Sequence, residues 1–462
     1  MLTMKEEEAR LRDEGRSPRD SWEHGAKRRR LSDGRRSPQE RQSRTHGHDP
    51  VELWFCTEEE GRDLFNAFFK HAHGFIPILD PREDTWEDLR ARSPFCVTVI
   101  LLIALRGREG CSPPSELTRR LSEEAEAIAK TTLFSPISTL ETVQALTLLA
   151  SWSHSSWRPG CHAMTLAVDM GLFRCLPFLH RMASNPNKPK SFIERQRPLV
   201  IGARVWLALV KLTYEMSLTH ALPLPFPSPA HYPYDFAREL LDHPLSNIYD
   251  ARLVVSVEML QVRETVFRPY ETAARESSEL DNKLRAVNQE IHSRYEYWID
   301  YYRRHGVPTD HLLVKELTGQ RAYATIYTNS CALYGVRDAS DVVDLSFERR
   351  QWLGSALRAA AFLVSSVGSG GKEKYSEFAN HYFHVGIVAT ARYLIRMTGL
   401  LPEVCDLYQV SYDIDKLLLK LPACESFGPF RSDPQSLVIR SRRCFAHQST
   451  RLASKVYCPS RR

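Results

Sequence analysis

A nearly unbroken apolar run, Phe95–Leu105 (FCVTVILLIAL), constrains this chain more than any other feature. Its 11 residues fall well short of the roughly 20 that a membrane-spanning helix needs. Ser93 and Pro94 stand where an N-cap and first helical position belong, and Gly107 is the predicted stop. A helix apolar on every side cannot sit on a surface, so this one is expected at the centre of a sizeable core. The chain supplies enough partners for it: 462 residues, 43% hydrophobic and 26% charged, an ordinary globular mixture.

Other segments repeat the helical period. Thr57 and Glu60 have capping-box spacing before Leu64, Phe65, Phe68 and Phe69. Ser138 and Glu141 repeat that spacing before Leu140–Trp152, and His162–Met170 reads as a second helix stopped at Gly171. A third lies within Pro198–Leu218, after a polar linker at Ala183–Lys190, and prolines 223, 225, 227 and 229 then break the pattern. Helices are predicted over about 250–268, 276–304, 311–334, 345–366 and 375–396. Alternating strand patterns are scarce, and no strand–helix rhythm of a parallel sheet occurs. The reading is an all-α, multi-helix regulatory domain over residues 51–425. A disordered leader (1–50) and a basic tail (426–462) flank it.

Charge is concentrated at the two ends. Residues 1–50 carry 13 basic against 10 acidic side chains, and residues 436–462 carry 7 basic and no acidic ones. Since the whole chain is only +6, the long middle is mildly acidic, which argues against a body that is itself a broad nucleic-acid platform. Lys27, Arg28, Arg29 and Arg30 form a compact cluster, the nuclear-import candidate, flanked by Ser17–Pro18 and Ser37–Pro38. Phosphorylation of those serines would put negative charge beside it. The bland alternative for the cluster is a solvated low-complexity leader. The first residues lack the apolar core of a signal peptide. The ten cysteines are at least 14 residues apart with no Cys-x-x-Cys, so buried thiols in a reducing compartment are expected and no zinc site of paired cysteines is present.

Catalytic motifs are missing. There is no His-Glu-x-x-His, no Gly-x-Gly-x-x-Gly and no phosphate loop; in Gly368–Ser369–Gly370–Gly371–Lys372 the residue after the lysine is Glu373, where a hydroxyl is needed. Glu377, His381 and His384 have the spacing of one helix face and could hold a metal or an acid–base pair, but ordinary core and edge histidines are the stronger reading. His71 and His73 carry still less. Catalytic, cofactor and metal residues are therefore expected to be none, and the chain is read as a non-enzyme.

Five ordered blocks carry a resemblance: Leu64–Pro81 (LFNAFFKHAHGFIPILDP), Asp88–Leu105 (DLRARSPFCVTVILLIAL), Leu133–Trp152 (LFSPISTLETVQALTLLASW), Gly160–Arg174 (GCHAMTLAVDMGLFR) and Ala203–Leu218 (ARVWLALVKLTYEMSL). Together they resemble the regulatory middle region of fungal zinc-cluster (Zn2Cys6) transcription factors. Members of that family usually bind two zinc ions through six closely spaced cysteines. Here the first cysteine is Cys56, inside the body, so no zinc-ligand or DNA-reading residue carries over. The resemblance implies nuclear regulation of RNA polymerase II transcription, for metabolic genes. Its implied partners are a small-molecule effector and the transcriptional machinery or a related factor. DNA would be bound only weakly or indirectly, and no membrane is involved. Alternatives are a helical ligand-binding protein or enzyme unrelated to transcription, and a structural interaction protein.

Overall fold

A computed structural model describes residues 48–420 apart from 111, 137, 154, 184–188, 221, 223, 226–235, 265–276, 335, 337–338 and 370–376. Among these residues the fold is all-α, with no strand. The helices in chain order are α1 (Glu58–His71), α2 (Trp86–Arg92), α3 (Pro94–Glu109), α4 (Glu116–Thr132), α5 (Leu140–Trp152) and α6 (Trp157–Asp169). There follow α7 (Cys175–Ala183), the short α8 (Lys190–Glu194), α9 (Arg197–His220), α10 (Asp250–Glu264) and α11 (Ser277–Arg304). The last are α12 (Leu312–Ser330), α13 (Ala339–Asp344), α14 (Phe347–Ser369), α15 (His381–Leu400) and α16 (Leu407–Lys420). Six of these, α2, α4, α7, α8, α13 and α16, fall where the sequence reading named no helix. The expected leader ends earlier than residue 50, because Asp49 is buried and accepts both Nε and Nη2 of Arg90 at 3.0 and 2.9 Å. The rest of the leader and the basic tail lie outside the described residues.

Local capping chemistry explains most starts and corrects some. Thr57 and Glu60 form the full reciprocal box at the start of α1. Ser93 caps α3 through the backbone N–H of Cys96, with Pro94 in the first turn as expected. The stop is different: α3 runs through Gly107 and ends at Gly110, whose φ is 57°. Gly107 serves close approach instead, since a Cβ there would lie 2.4 Å from the Phe378 ring. The cap of α5 is Thr139, not Ser138, and accepts from Thr142 N–H at 3.2 Å. With Thr139 as the cap, Glu141 falls one position short of the box and pairs with Arg92, at 3.2 Å. Gly171 does end the α6 region in the left-handed conformation, at φ 75°.

As predicted, α3 is central: Phe95 through Ala104 are all buried. It belongs to a first hydrophobic cluster built from the segments between α1 and α10, with Trp298 and Tyr302 of α11 and Leu313 and Leu317 of α12 closing one side. A second cluster gathers α11, α12, α14, α15 and α16 around Leu284, Leu357 and Leu394. The two meet along α10, where Met259 faces the first and Val262 the second.

One charge sits inside the first cluster. Arg204 of the apolar α9 is 1% exposed and makes a bidentate pair with Asp250 (2.7 and 3.0 Å), a bond to the Leu245 carbonyl (3.0 Å) and a longer contact with Asp80 (3.5 Å). Asp250 also accepts from Ser246 Oγ and the Asn247 backbone, each at 2.9 Å. The guanidinium fork therefore ties α9 to the first residue of α10 and to the extended segment before α2.

Candidate functional site

The structure separates the residues that the spacing had grouped. Glu377 is exposed and lies ahead of α15, because Asn380 caps that helix by accepting from the Phe383 N–H at 3.0 Å. Glu377, His381 and His384 consequently do not share a helix face. Among the described residues no three His, Cys, Asp or Glu side chains gather as a metal ion would need. His71 packs its ring on Phe378 (4.9 Å). His73 is buried, and its Nε2–H donates to the Leu79 carbonyl at 2.9 Å; burial pushes its pKa down to about 4. Gly368 and Ser369 form the end of α14, while 370–372 lie outside the described residues. So do Lys27, Arg28, Arg29 and Arg30. Cys56, Cys96 and Cys175 are free, buried thiols as expected, and burial raises Cys56 to about 11 and Cys175 to about 12. Cys331 is only half-buried, because it falls just past the end of α12.

A different polar feature emerges between α10 and α12. Arg252 pairs with Glu316, Gln320 Nε2 donates to Ser256 Oγ at 2.9 Å, and Arg263 lies over the Tyr327 ring at 4.4 Å. Each pair is 64 residues apart in sequence, so the two helices run parallel in constant register. On α10 these three residues are spaced 252, 256, 263, a single stripe over three turns. α11 makes the return: Trp298 Nε1 and Arg294 both reach Glu258 of α10, at 3.0 and 3.2 Å.

This seam is only partly satisfied. Buried atoms with no hydrogen-bond partner among the described residues include Arg252 Nε and Nη1, Glu316 Oε2, Gln320 Oε1 and Arg263 Nε. Polar atoms in such places normally find partners, in protein or in water.

Beyond the seam α9 packs against both α10 and α15, and Tyr323 of α12 lies against Gly386 of α15. Lys211 and Glu215 of α9 form an ion pair at 2.6 Å, leaving Glu215 Oε2 buried and unpartnered. The negative charge of Glu215 favours the protonated forms of Arg263, Tyr323 and Tyr382. Burial lowers the pKa of Arg263, with Tyr327 and Glu215 opposing it, and burial raises both phenols. The Tyr323 hydroxyl lies 3.1 Å from where a Cβ on Gly386 would stand, a close approach of α12 to α15. Tyr327, at the end of the seam, is 37% exposed. In the sequence the stripe on α10 was legible as helical spacing, but nothing distinguished Arg252 or Arg263 from solvated surface arginines.

Comparison with known proteins gives one partial likeness. The chain is 27% identical over 157 residues to Protein priB of Lentinula edodes. That stretch is 32% of this chain and 23% of that protein, so the chain spans less than a quarter of the relative it matches. No known family's sequence profile matches the chain, and no solved structure matches it.

Proposed function

We propose that this chain is a non-catalytic regulator of RNA polymerase II transcription in a fungus, acting from the nucleus through a helical body that responds to an effector or a protein partner. The observation that carries the reading is the fate of the five resembling blocks. Leu64–Pro81, Asp88–Leu105, Leu133–Trp152, Gly160–Arg174 and Ala203–Leu218 all contribute buried residues to the same hydrophobic cluster. Blocks spread over some 150 residues of chain thus act as one structural unit, as a regulatory region does. No cofactor is assigned, DNA is engaged weakly or through a partner, and metabolic genes are the proposed targets.

The test fuses the full chain to a heterologous DNA-binding domain upstream of a reporter in fungal cells, with fluorescence microscopy of the same fusion partner-free. A reporter change of threefold or more in either direction, with nuclear signal, is the expected result. An unchanged reporter from a stably expressed fusion would sink the reading. A helical ligand-binding protein outside transcription is the second reading, favoured by the polar seam between α10 and α12. It predicts ligand binding by the purified chain together with a silent reporter.

A further inference from the structure

The last described helix, α16, is apolar on two sides. Val410, Ile414 and Leu417 are buried in the second hydrophobic cluster, where the helix packs along α14. The two helices run parallel. A Cβ on Gly354 would lie 3.9 Å from Val404, and one on Gly368 would lie 3.2 Å from the Asp413 carbonyl oxygen. The outer side of α16 carries a second stripe at helical spacing, Tyr408, Tyr412 and Leu419. Tyr408 is 84% and Leu419 86% exposed, and Tyr412 is exposed with Lys416 Nζ 4.4 Å from its ring centre. A surface helix usually turns polar residues outward, yet among the described residues nothing is packed over Tyr408 or Leu419.

We propose that residues 421–431 (LPACESFGPFR) turn back along α16 and cover this stripe, with Phe427 against Tyr408 and Tyr412 and Arg431 beside Glu403 and Asp406. The segment starts where α16 ends, at Lys420. Pro422 and Pro429 oppose a continued helix and suit an extended return. Its length fits. Eleven extended residues reach up to about 36 Å, whereas the 14 residues of α16 span about 21 Å, which leaves slack for the turn. Leu421, Phe427 and Phe430 supply the apolar side chains. Charge favours the same occupant. Residues 401–420 carry 4 acidic side chains against 2 basic, with Glu403, Asp406 and Asp415 exposed, while residues 421–462 carry 8 basic against 2 acidic. A second copy of the chain would instead bring this acidic face against its like, a repulsive match. The tether also makes the contact intramolecular, so a modest interaction suffices to close it. The strap thereby withholds the outer face of α16 from other chains. Nothing in this inference depends on the transcriptional reading.

The experiment is photo-crosslinking in the purified full chain, with Tyr412 replaced by p-benzoylphenylalanine and the products digested for mass spectrometry. Because Tyr412 is exposed, the replacement leaves the core intact. The expected product has the mass of a single chain and joins α16 to a peptide within residues 421–431. A product of twice that mass makes a second copy the occupant and overturns the proposal, as does a spent probe with no link to residues 421–431. The same probe at Trp54, exposed on the turn before α1, should not reach this segment; equal linkage from both positions would mean random collision and would overturn the proposal too. Phe427→Ser with Phe430→Ser in the full chain should abolish the link from position 412. The same pair should raise the fluorescence of the neutral dye Nile red about twofold, as the apolar stripe is uncovered, with an unchanged helical circular dichroism spectrum. A link that survives both substitutions undiminished counts against the strap.

Discussion

His73 shows how a single buried ring couples this fold to pH. Its Nε2–H is committed to the Leu79 carbonyl, and desolvation holds its pKa near 4, against about 6.5 in an unfolded chain. Below pH 6.5 the unfolded chain takes up a proton that the folded chain refuses. The stability tied to this group is therefore complete above about pH 6.5 and is lost as pH falls toward 4, by about 3 kcal/mol in all. His73→Gln keeps a donor for Leu79 but does not titrate. Urea unfolding at pH 7 and pH 4.5 should show a smaller pH loss in this variant than in the parent chain; an identical loss would mean that His73 is not the responsible group. Gly107 is the second residue whose surroundings set its role. Ala is the better helix former, yet the Phe378 ring occupies the space of its Cβ. Gly107→Ala is expected to cost about 1–3 kcal/mol by overpacking, read from the urea midpoint, and a stabilised variant would contradict the close contact.

Between elements, the decisive join is the buried fork of Arg204. It holds α9, the start of α10 and the Asp80 segment by charge-assisted bonds, all in a space from which water is excluded. Removing the arginine strands Asp250, which is 0% exposed, without its counter-charge. Arg204→Ala is therefore expected to lower the unfolding free energy by about 3–5 kcal/mol. The exposed pair of Arg304 with Asp300 makes the comparison: screened by solvent, its loss should cost far less. Equal effects of the two substitutions in the same denaturant series would refute the structural role assigned to Arg204. The same parallel α10–α12 pairing that creates the polar seam depends on this anchor, since Arg204 positions the first turn of α10 two residues before Arg252.

For the whole molecule, charge and fold divide the work. The described body is helical, and none of its helices is long and apolar enough to cross a membrane. The concentrated cations are Lys27–Arg30 and the 436–462 segment. Replacing all four residues Lys27, Arg28, Arg29 and Arg30 by alanine should shift a tagged full chain from nucleus to cytoplasm; unaltered nuclear signal would show the cluster to be dispensable. With DNA, the purified chain is expected to bind weakly at about 0.15 M salt, where screening acts over roughly 8 Å, and to lose affinity as salt rises with little preference among sequences. Selection of one reproducible motif from pooled duplexes would falsify that expectation and point to a reading surface in the helical body.

What was legible in the sequence is what short-range physics controls. The capping box at Thr57, the Ser93–Pro94 start, the all-round apolar character of α3 and the turn at Gly171 each depend on residues within a few positions, and each was found there. The errors fell where a distant residue intervened. Phe378 turned Gly107 from a stop into a packing site. The candidate site was hidden for the same reason. Arg252, Ser256 and Arg263 are legible as one stripe of α10, but spacing cannot say whether a polar stripe meets water or another helix. Only the tertiary structure decided that, by laying α10 and α12 parallel with a 64-residue offset and closing α9 and α15 over the end. Burial then set these polar side chains against one another, because hydrogen-bonding demand is local while burial belongs to the whole fold.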